Sequence, residues 1–218
     1  MDFSRYFPFW NKLTQSQQQL LQRSAVAKKA NKGEVVHNGS LQCTGLLLVG
    51  SGQFRAYYLS EDGREITLYR LFEQDICLFS AACMIASIQC EIIVEAEKPT
   101  EYWIIPPEVY KQLMAESASI SNYTNELMAS RFSEVMWLME QVLWKSFDKR
   151  LARFLLDEAI LEDSLTLKIT HEEIGNHLGN PREVVTRMLR YFQTEEMVKL
   201  TRGTIEITDT EKLEAILD

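Results

Sequence analysis

From Glu108 to Lys145 the chain carries neither glycine nor proline, and Pro106-Pro107 stands just before this stretch. Apolar residues recur through it at helical spacing: Leu113, Ile120, Leu127, Met128, Val135, Trp137, Leu138, Val142 and Trp144. The spacing predicts one long helix, or two abutting ones, within residues 108–146. Met128, Val135 and Val142 lie seven apart, and Trp137 and Trp144 form a second seven-spaced pair at another angle. A helix of about 35 residues would span about 50 Å at about 1.5 Å per residue. One neighbour does not easily cover so long and so wide an apolar surface. We therefore expect part of this helix to pack on the preceding domain and part on a twin helix from a second chain. A central helix inside a monomer is the alternative.

The texture on the N-terminal side is the opposite. Six of the nine glycines fall between residues 33 and 63, among apolar segments of strand length. In "AYYLSEDGREITLYRLF", two β-rich runs (Phe54 to Leu59, Glu65 to Phe72) flank a connection containing Asp62-Gly63. That connection suits a hairpin, and "CEIIVEA" and "EYWII" add further strands. Short strands separated by regular turns predict a small sandwich or barrel over residues 1–107. The chain of 218 residues is long enough for two small domains, and 46% hydrophobic with 25% charged residues argues against disorder. "MDFSRYFPFWNKL" lacks the basic start and apolar run of a signal peptide, and nowhere do eighteen apolar residues run together. A cytoplasmic protein with no membrane partner is expected. Cys43, Cys77, Cys83 and Cys90 include no Cys-x-x-Cys pair, which fits thiols in a reducing compartment.

Residues 147–218 read as a third texture. "DKRLARFLLDEAIL" is a compact amphipathic helix, and "THEEIGNHLGNPREVVTRMLRYF" gives two helices joined by a tight turn. Thr170 and Glu173 have capping-box spacing, and Gly179 ends the first helix. Asn180 is placed to cap the second helix, with Pro181 as its first residue. Gly175 would let that second helix approach closely. "VKLTRGTIEIT" reads as two short strands about the turn Thr201-Arg202-Gly203. The layout is a winged helix-turn-helix.

Within the second helix, Val185, Met188, Leu189 and Phe192 share one face and should be core. Arg182, Glu183, Thr186, Arg187 and Arg190 then fall on the other side, with Val184 uncovered. The arginine fork matches guanine O6 and N7, glutamate accepts from the cytosine amino group, and valine suits a thymine methyl. An idle surface ion pair between Glu183 and Arg187 is the bland alternative. Charge opposes a broad electrostatic footprint, because residues 148–218 hold ten Lys/Arg against fifteen Asp/Glu, a difference of −5. Affinity must come from a local patch of Arg182, Arg187, Arg190, Lys199 and Arg202, with Thr170 beside it, and from a contact doubled in a dimer. Modest, strongly salt-dependent binding to double-stranded DNA is expected.

The segment "ITHEEIGNHLGNPREVVTRMLRYF" closely matches the pattern I-T-x-x-E-I-G-x-x-x-G-x-x-R-E-T-V-x-R-x-L. With the order of the domains, it resembles the cyclic-AMP receptor protein/fumarate–nitrate reduction regulator (Crp/Fnr) family of bacterial transcription regulators. The resemblance implies an α+β chain: a double-stranded β-helix (jelly-roll) sensor barrel (1–107), a long dimerisation helix (108–146) and a winged helix-turn-helix (147–218). It further implies a homodimer with RNA polymerase as another partner. Arg182, Glu183 and Arg187 fall where the cyclic-AMP receptor branch reads TGTGA. The fumarate–nitrate branch lacks the first arginine, so a palindromic TGTGA-like site is expected. Pro181 stands where the cyclic-AMP branch has a phosphate-contacting serine, and that contact should be missing.

The sensor departs from the family's ligand signature. Cyclic-nucleotide binders carry a Gly-Glu-Leu turn and an Arg-Ser pair that hold ribose and phosphate. Here the first place reads "CLFSAACM", with Phe79 for the glutamate, and Cys90-Glu91 aligns with the Arg-Ser pair. A phosphate there would lose its cation and meet a carboxylate, so no response to cyclic AMP is expected. The N-terminal cysteine cluster of the iron–sulfur branch is also missing. The effector and any cofactor stay open. Cys77, Cys83 and Cys90 fit core filler, a thiol redox switch, or haem or metal ligation with His37. Tyr58, Phe79 and the other barrel aromatics would equally suit an uncharged organic effector. Two rivals remain: a regulator acting by protein contact alone, and a cupin-type metalloenzyme. The latter needs a His-x-His that His37, His171 and His177 do not form, so no enzyme is expected.

Overall fold

The computed structural model describes residues 2–39, 44–78, 80 and 92–217, so Cys43, Phe79, Cys83, Cys90 and Glu91 lie outside the described residues. The chain divides into two compact units, Met1–Leu59 with Leu68–Val135, and Ser60–Thr67 with Met136–Asp218.

In the first unit, Thr14 and Gln17 form a reciprocal capping box that starts α1 (Gln15–Ser24). The strands are β1 (Val26–Ala30), β2 (Val35–Asn38), β3 (Leu46–Ser51), β4 (Phe54–Leu59), β5 (Glu65–Leu71), β6 (Ile76–Cys77), β7 (Ile92–Ala96) and β8 (Thr100–Ile105). Among the described residues they form two sheets, in the orders β1-β8-β3-β6 and β2-β7-β4-β5. Distant segments pair: Leu47 lies opposite Ile104, and Ala56 opposite Val94. This is a roll, and the expected hairpin between β4 and β5 is present, with Gly63 at φ +79°.

Strand β3 explains how the roll is covered. Leu47 and Val49 join Phe54, Ala56, Leu71, Val94 and Tyr102 in one core. Leu46 and Leu48, on its other face, pack with Phe3, Phe7, Leu21, Tyr110, Leu113 and Ile120. A strand buried on both faces has no reason to alternate, which is why "LLLV" is a continuous apolar run. The aromatic N-terminus is thus a lid on the outer sheet. Each fully buried Leu or Phe in this layer contributes about 1.5–3 kcal/mol. Cys77 belongs to the inner core, fully buried, with Sγ 3.8 Å from the Tyr69 hydroxyl. Tyr58, offered above for an effector pocket, is 47% exposed. Period-two alternation puts it on the same face as Phe54 and Ala56, but it stands next to the strand's end, outside the inner core that those two residues join.

The stretch at 108–146 is two helices, α2 (Pro107–Glu116) and α3 (Ala118–Trp144), and not one. Ser117 takes extended backbone angles (φ −133°, ψ 111°) and its N–H closes α2 on the Leu113 carbonyl. Its own carbonyl then accepts from the Ile120 and Ser121 N–H groups that open α3. Ile120 is fully buried within the chain, and Leu127 and Met128 pack partly against the same cluster. One turn further, Arg131 forks onto Glu134 (2.9 and 2.7 Å) with its guanidinium 4.6 Å above the Tyr69 ring. Beyond this point the apolar residues are uncovered. Phe132, Trp137, Val142, Leu143 and Trp144 are all exposed, Trp144 to 79%, while Val135 is half-buried. No helix among the described residues is long and apolar enough to cross a membrane.

Candidate nucleic-acid interface

The second unit is built on α4 (Phe147–Leu161), β9 (Thr166–Leu167), α5 (His171–Leu178), α6 (Arg182–Thr194), β10 (Val198–Thr201), β11 (Thr204–Ile207) and α7 (Thr210–Leu217). Leu151, Leu155, Ile174, Val185, Leu189, Phe192, Ile205 and Leu213 form its core. The wing is a sheet of order β10-β11-β9. Strand β9 and helix α7 are additions to the elements read from the sequence.

Helix α5 starts on the expected capping box: the Thr170 hydroxyl accepts from the Glu173 N–H (3.1 Å), and the Glu173 carboxylate accepts from the Thr170 N–H (2.7 Å). It ends at Gly179, which takes the left-handed conformation at φ +70°. A Cβ on Gly175 would fall 2.5 Å from the Asn180 carbonyl oxygen. The close approach that needs this glycine is therefore to the turn backbone.

The start of α6 differs from expectation in one respect. Pro181, at ψ 144°, occupies the cap position and no side chain caps the helix. Asn180 is engaged elsewhere, since its Oδ1 accepts from Arg150 at 2.9 Å. The same guanidinium donates to the Leu178 carbonyl at 2.9 Å and lies over the Phe147 ring. Arg150 thus fixes the turn between the helices. From the other side, Ile66 bridges to Leu178 and Thr67 Oγ1 lies 2.8 Å from His177 Nδ1. Neither Arg150 nor the 60–67 segment was legible as a support, because both reach the turn from distant sequence.

Val185, Leu189 and Phe192 of α6 are fully buried, Met188 partly so. Arg182, Glu183, Thr186, Arg187 and Arg190 line one shallow open surface on the opposite side, and Val184 is half-buried beside it. Among the described residues none of the four charged heads forms an ion pair, so the bland Glu183–Arg187 pairing does not occur. Thr186 is committed: its hydroxyl lies 2.9 Å from the Arg182 carbonyl and 2.9 Å from His171 Nδ1. Burial and the cations of Arg182 and Arg190 push the His171 imidazole below its ordinary value. On the wing, Lys199 is ion-paired across the hairpin with Glu206 at 3.5 Å, an exposed contact of small energetic weight. Arg202 is exposed at the hairpin tip. What the arrangement offers chemically is a rigid helix face with uncommitted fork donors and one carboxylate acceptor. Among the described residues no group of three His, Cys, Asp or Glu side chains is arranged to hold a metal ion.

A family model for the Crp-like helix-turn-helix domain matches residues 149–216, and one for the cyclic nucleotide-binding domain matches residues 27–117. The chain is 58% identical to a transcriptional regulator of the crp/fnr family from Eubacterium rectale of known crystal structure. That similarity covers 97% of this chain and 98% of the other, with a TM-score of 0.95. The cAMP-activated global transcriptional regulator CRP of Pasteurella multocida is 24% identical over 85% of this chain and 90% of its own length. The c-di-GMP responsive global regulator CLP of Xanthomonas campestris shares the fold (TM-score 0.72, 17% identity, covering 90% of this chain and 100% of that one).

Proposed function

The chain belongs to the Crp/Fnr family of DNA-binding transcription regulators, and on that footing we propose that it works as a homodimer reading a palindromic, TGTGA-like site. The observation that carries this reading is the face of α6. Arg182, Glu183 and Arg187 stand exposed and unpaired on a helix whose other side is locked into the core by Val185, Leu189 and Phe192. Donors and acceptor so held read base edges in the major groove without having to leave other partners first. Arg190, Arg202 and, once released from Glu206, Lys199 serve the phosphates. The acidic balance of the domain leaves little non-specific affinity, and the phosphate contacts of this local basic patch make binding fall with salt.

Dimerisation runs through the uncovered end of α3, where Trp137, Val142, Leu143 and Trp144 offer an apolar seam to a second copy. Two α6 helices then reach, or miss, the separation of about 34–36 Å that successive major grooves require. The signal enters through the barrel and is not cyclic AMP, since Phe79 and Cys90-Glu91 replace the residues that would hold its ribose and phosphate. RNA polymerase is the partner through which a cytoplasmic regulator of this kind acts on transcription.

The test is selection of duplexes from a random library by the purified full chain, followed by anisotropy titrations. An inverted repeat resembling TGTGA is expected. Arg182→Ala and Arg187→Ala should each cost about 1–3 kcal/mol and relax preference at one base pair. Equal binding of all sequences by parent and variants would sink the assignment of α6 as the reader.

A further inference from the structure

The crease between α5 and α6 extends the DNA-binding reading, on which the following rests. His171 is the first residue of α5, and its ring is half-buried against α6. The Thr186 hydroxyl stands 2.9 Å from both the Arg182 carbonyl and His171 Nδ1. A hydroxyl has one proton and a carbonyl only accepts, so Thr186 donates to Arg182 and receives from the ring. The neutral imidazole therefore carries its proton on Nδ1. Nε2 is left with a bare lone pair and, among the described residues, no partner.

The charged groups facing this ring are two cations of the reading helix, Arg182 and Arg190. On its own helix Glu172 follows, and Glu173 is turned back onto the Thr170 N–H at 2.7 Å. Thus a base with an open nitrogen sits beside two of the arginines that line the reading surface, whose charges disfavour its protonation until an anion offsets them.

We propose that His171 is a proton-taking contact of the DNA backbone. When a duplex settles on α6, its phosphates replace the repulsion of Arg182 and Arg190 by attraction. Nε2 then takes one proton from solvent, the ring becomes imidazolium, and Nε2–H donates to a phosphodiester oxygen while Nδ1–H keeps its bond to Thr186. No other bond changes. Because the bound state holds one more proton per protomer, acid strengthens binding. Each pH unit by which DNA raises the imidazole's titration is worth about tenfold in affinity per protomer.

The experiment titrates the full chain, at constant ionic strength from pH 5.5 to 8, with the best duplex from the selection and with a random-sequence duplex. The parent's affinity for the selected duplex should fall severalfold or more towards pH 8. His171→Gln, whose amide still reaches Thr186, should bind within about twofold of the parent at pH 8 and lose most of the slope. A flat parent profile, or a slope surviving in H171Q because His37 or His177 owns it, overturns the proposal. Nitrogen-15 spectra of the histidines provide a check that needs no variant. Nε2 of His171 should be bare in the free protein and protonated in the complex at one pH near neutral, and an unchanged Nε2 overturns it. Failure of the parent to prefer the selected duplex at any pH would instead overturn the DNA reading itself.

Discussion

Gly175→Ala sets two effects of similar size against each other inside α5. Alanine favours a helix interior over glycine by about 0.5–1 kcal/mol, so propensity alone predicts a more stable domain. The structure predicts the reverse. The new Cβ would fall 2.5 Å from the Asn180 carbonyl oxygen, nearly 1 Å inside an ordinary C···O contact of about 3.3–3.6 Å. That oxygen is poorly placed to yield. The Asn180 N–H is bonded to the Gly175 carbonyl at 3.0 Å, its side chain is held by Arg150 at 2.9 Å, and Pro181 follows directly. Overpacking against backbone costs about 1–3 kcal/mol, so the net result should be about 1–2 kcal/mol of destabilisation. Hydrogen exchange over peptides within 169–192 reads this directly, as about five- to thirtyfold faster exchange. Gly179→Ala is the contrasting case. Its nearest neighbour is the flexible tip of Ile66 at 3.2 Å, and its cost of about 1–2 kcal/mol lies in the left-handed backbone. Asparagine should recover part of the loss at 179 and none at 175. Exchange in G175A as slow as in the parent would refute the argument, since propensity would then have won and the contact would carry nothing.

Three further outcomes are expected. Thr170→Ala removes the hydroxyl half of the α5 capping box and should cost about 1 kcal/mol in urea unfolding, with Thr170→Ser restoring most of it. Leu143→Glu or Trp144→Glu should shift sedimentation equilibrium towards monomer while leaving the melting of a single chain nearly unchanged, because both side chains are exposed in it. Millimolar cyclic AMP should leave Tm where it is, whereas a ligand at about 100 times its Kd would add about 2.7 kcal/mol and raise it.

The helix-turn-helix was legible because its signals are local. Thr170 and Glu173 are three residues apart, Gly179 follows at the helix end, and Val185, Leu189 and Phe192 declare one face within two turns. What the sequence concealed depends on partners far along the chain. Asn180 looks like a helix cap until Arg150, thirty residues earlier, takes its oxygen. One helix or two abutting ones stayed open over 108–146, and the break falls at Ser117, whose extended backbone parts α2 from α3. The aromatic N-terminus gave no sign in its sequence that it would seal the outer face of β3. The candidate pocket was harder still. Its evidence is the absence of a signature at Phe79, Cys90 and Glu91, and substitution away from one ligand does not spell out another.

The exposed tryptophans and leucine at the end of α3 bear on more than assembly. A regulator that must meet its twin before it reads DNA responds, at low abundance, to the square of its own concentration. Two cells given the same signal but differing threefold in this protein would then differ up to ninefold in occupied promoters. With the proposed dimer, synthesis and turnover of the chain become a second input, set by how tightly one short apolar seam closes.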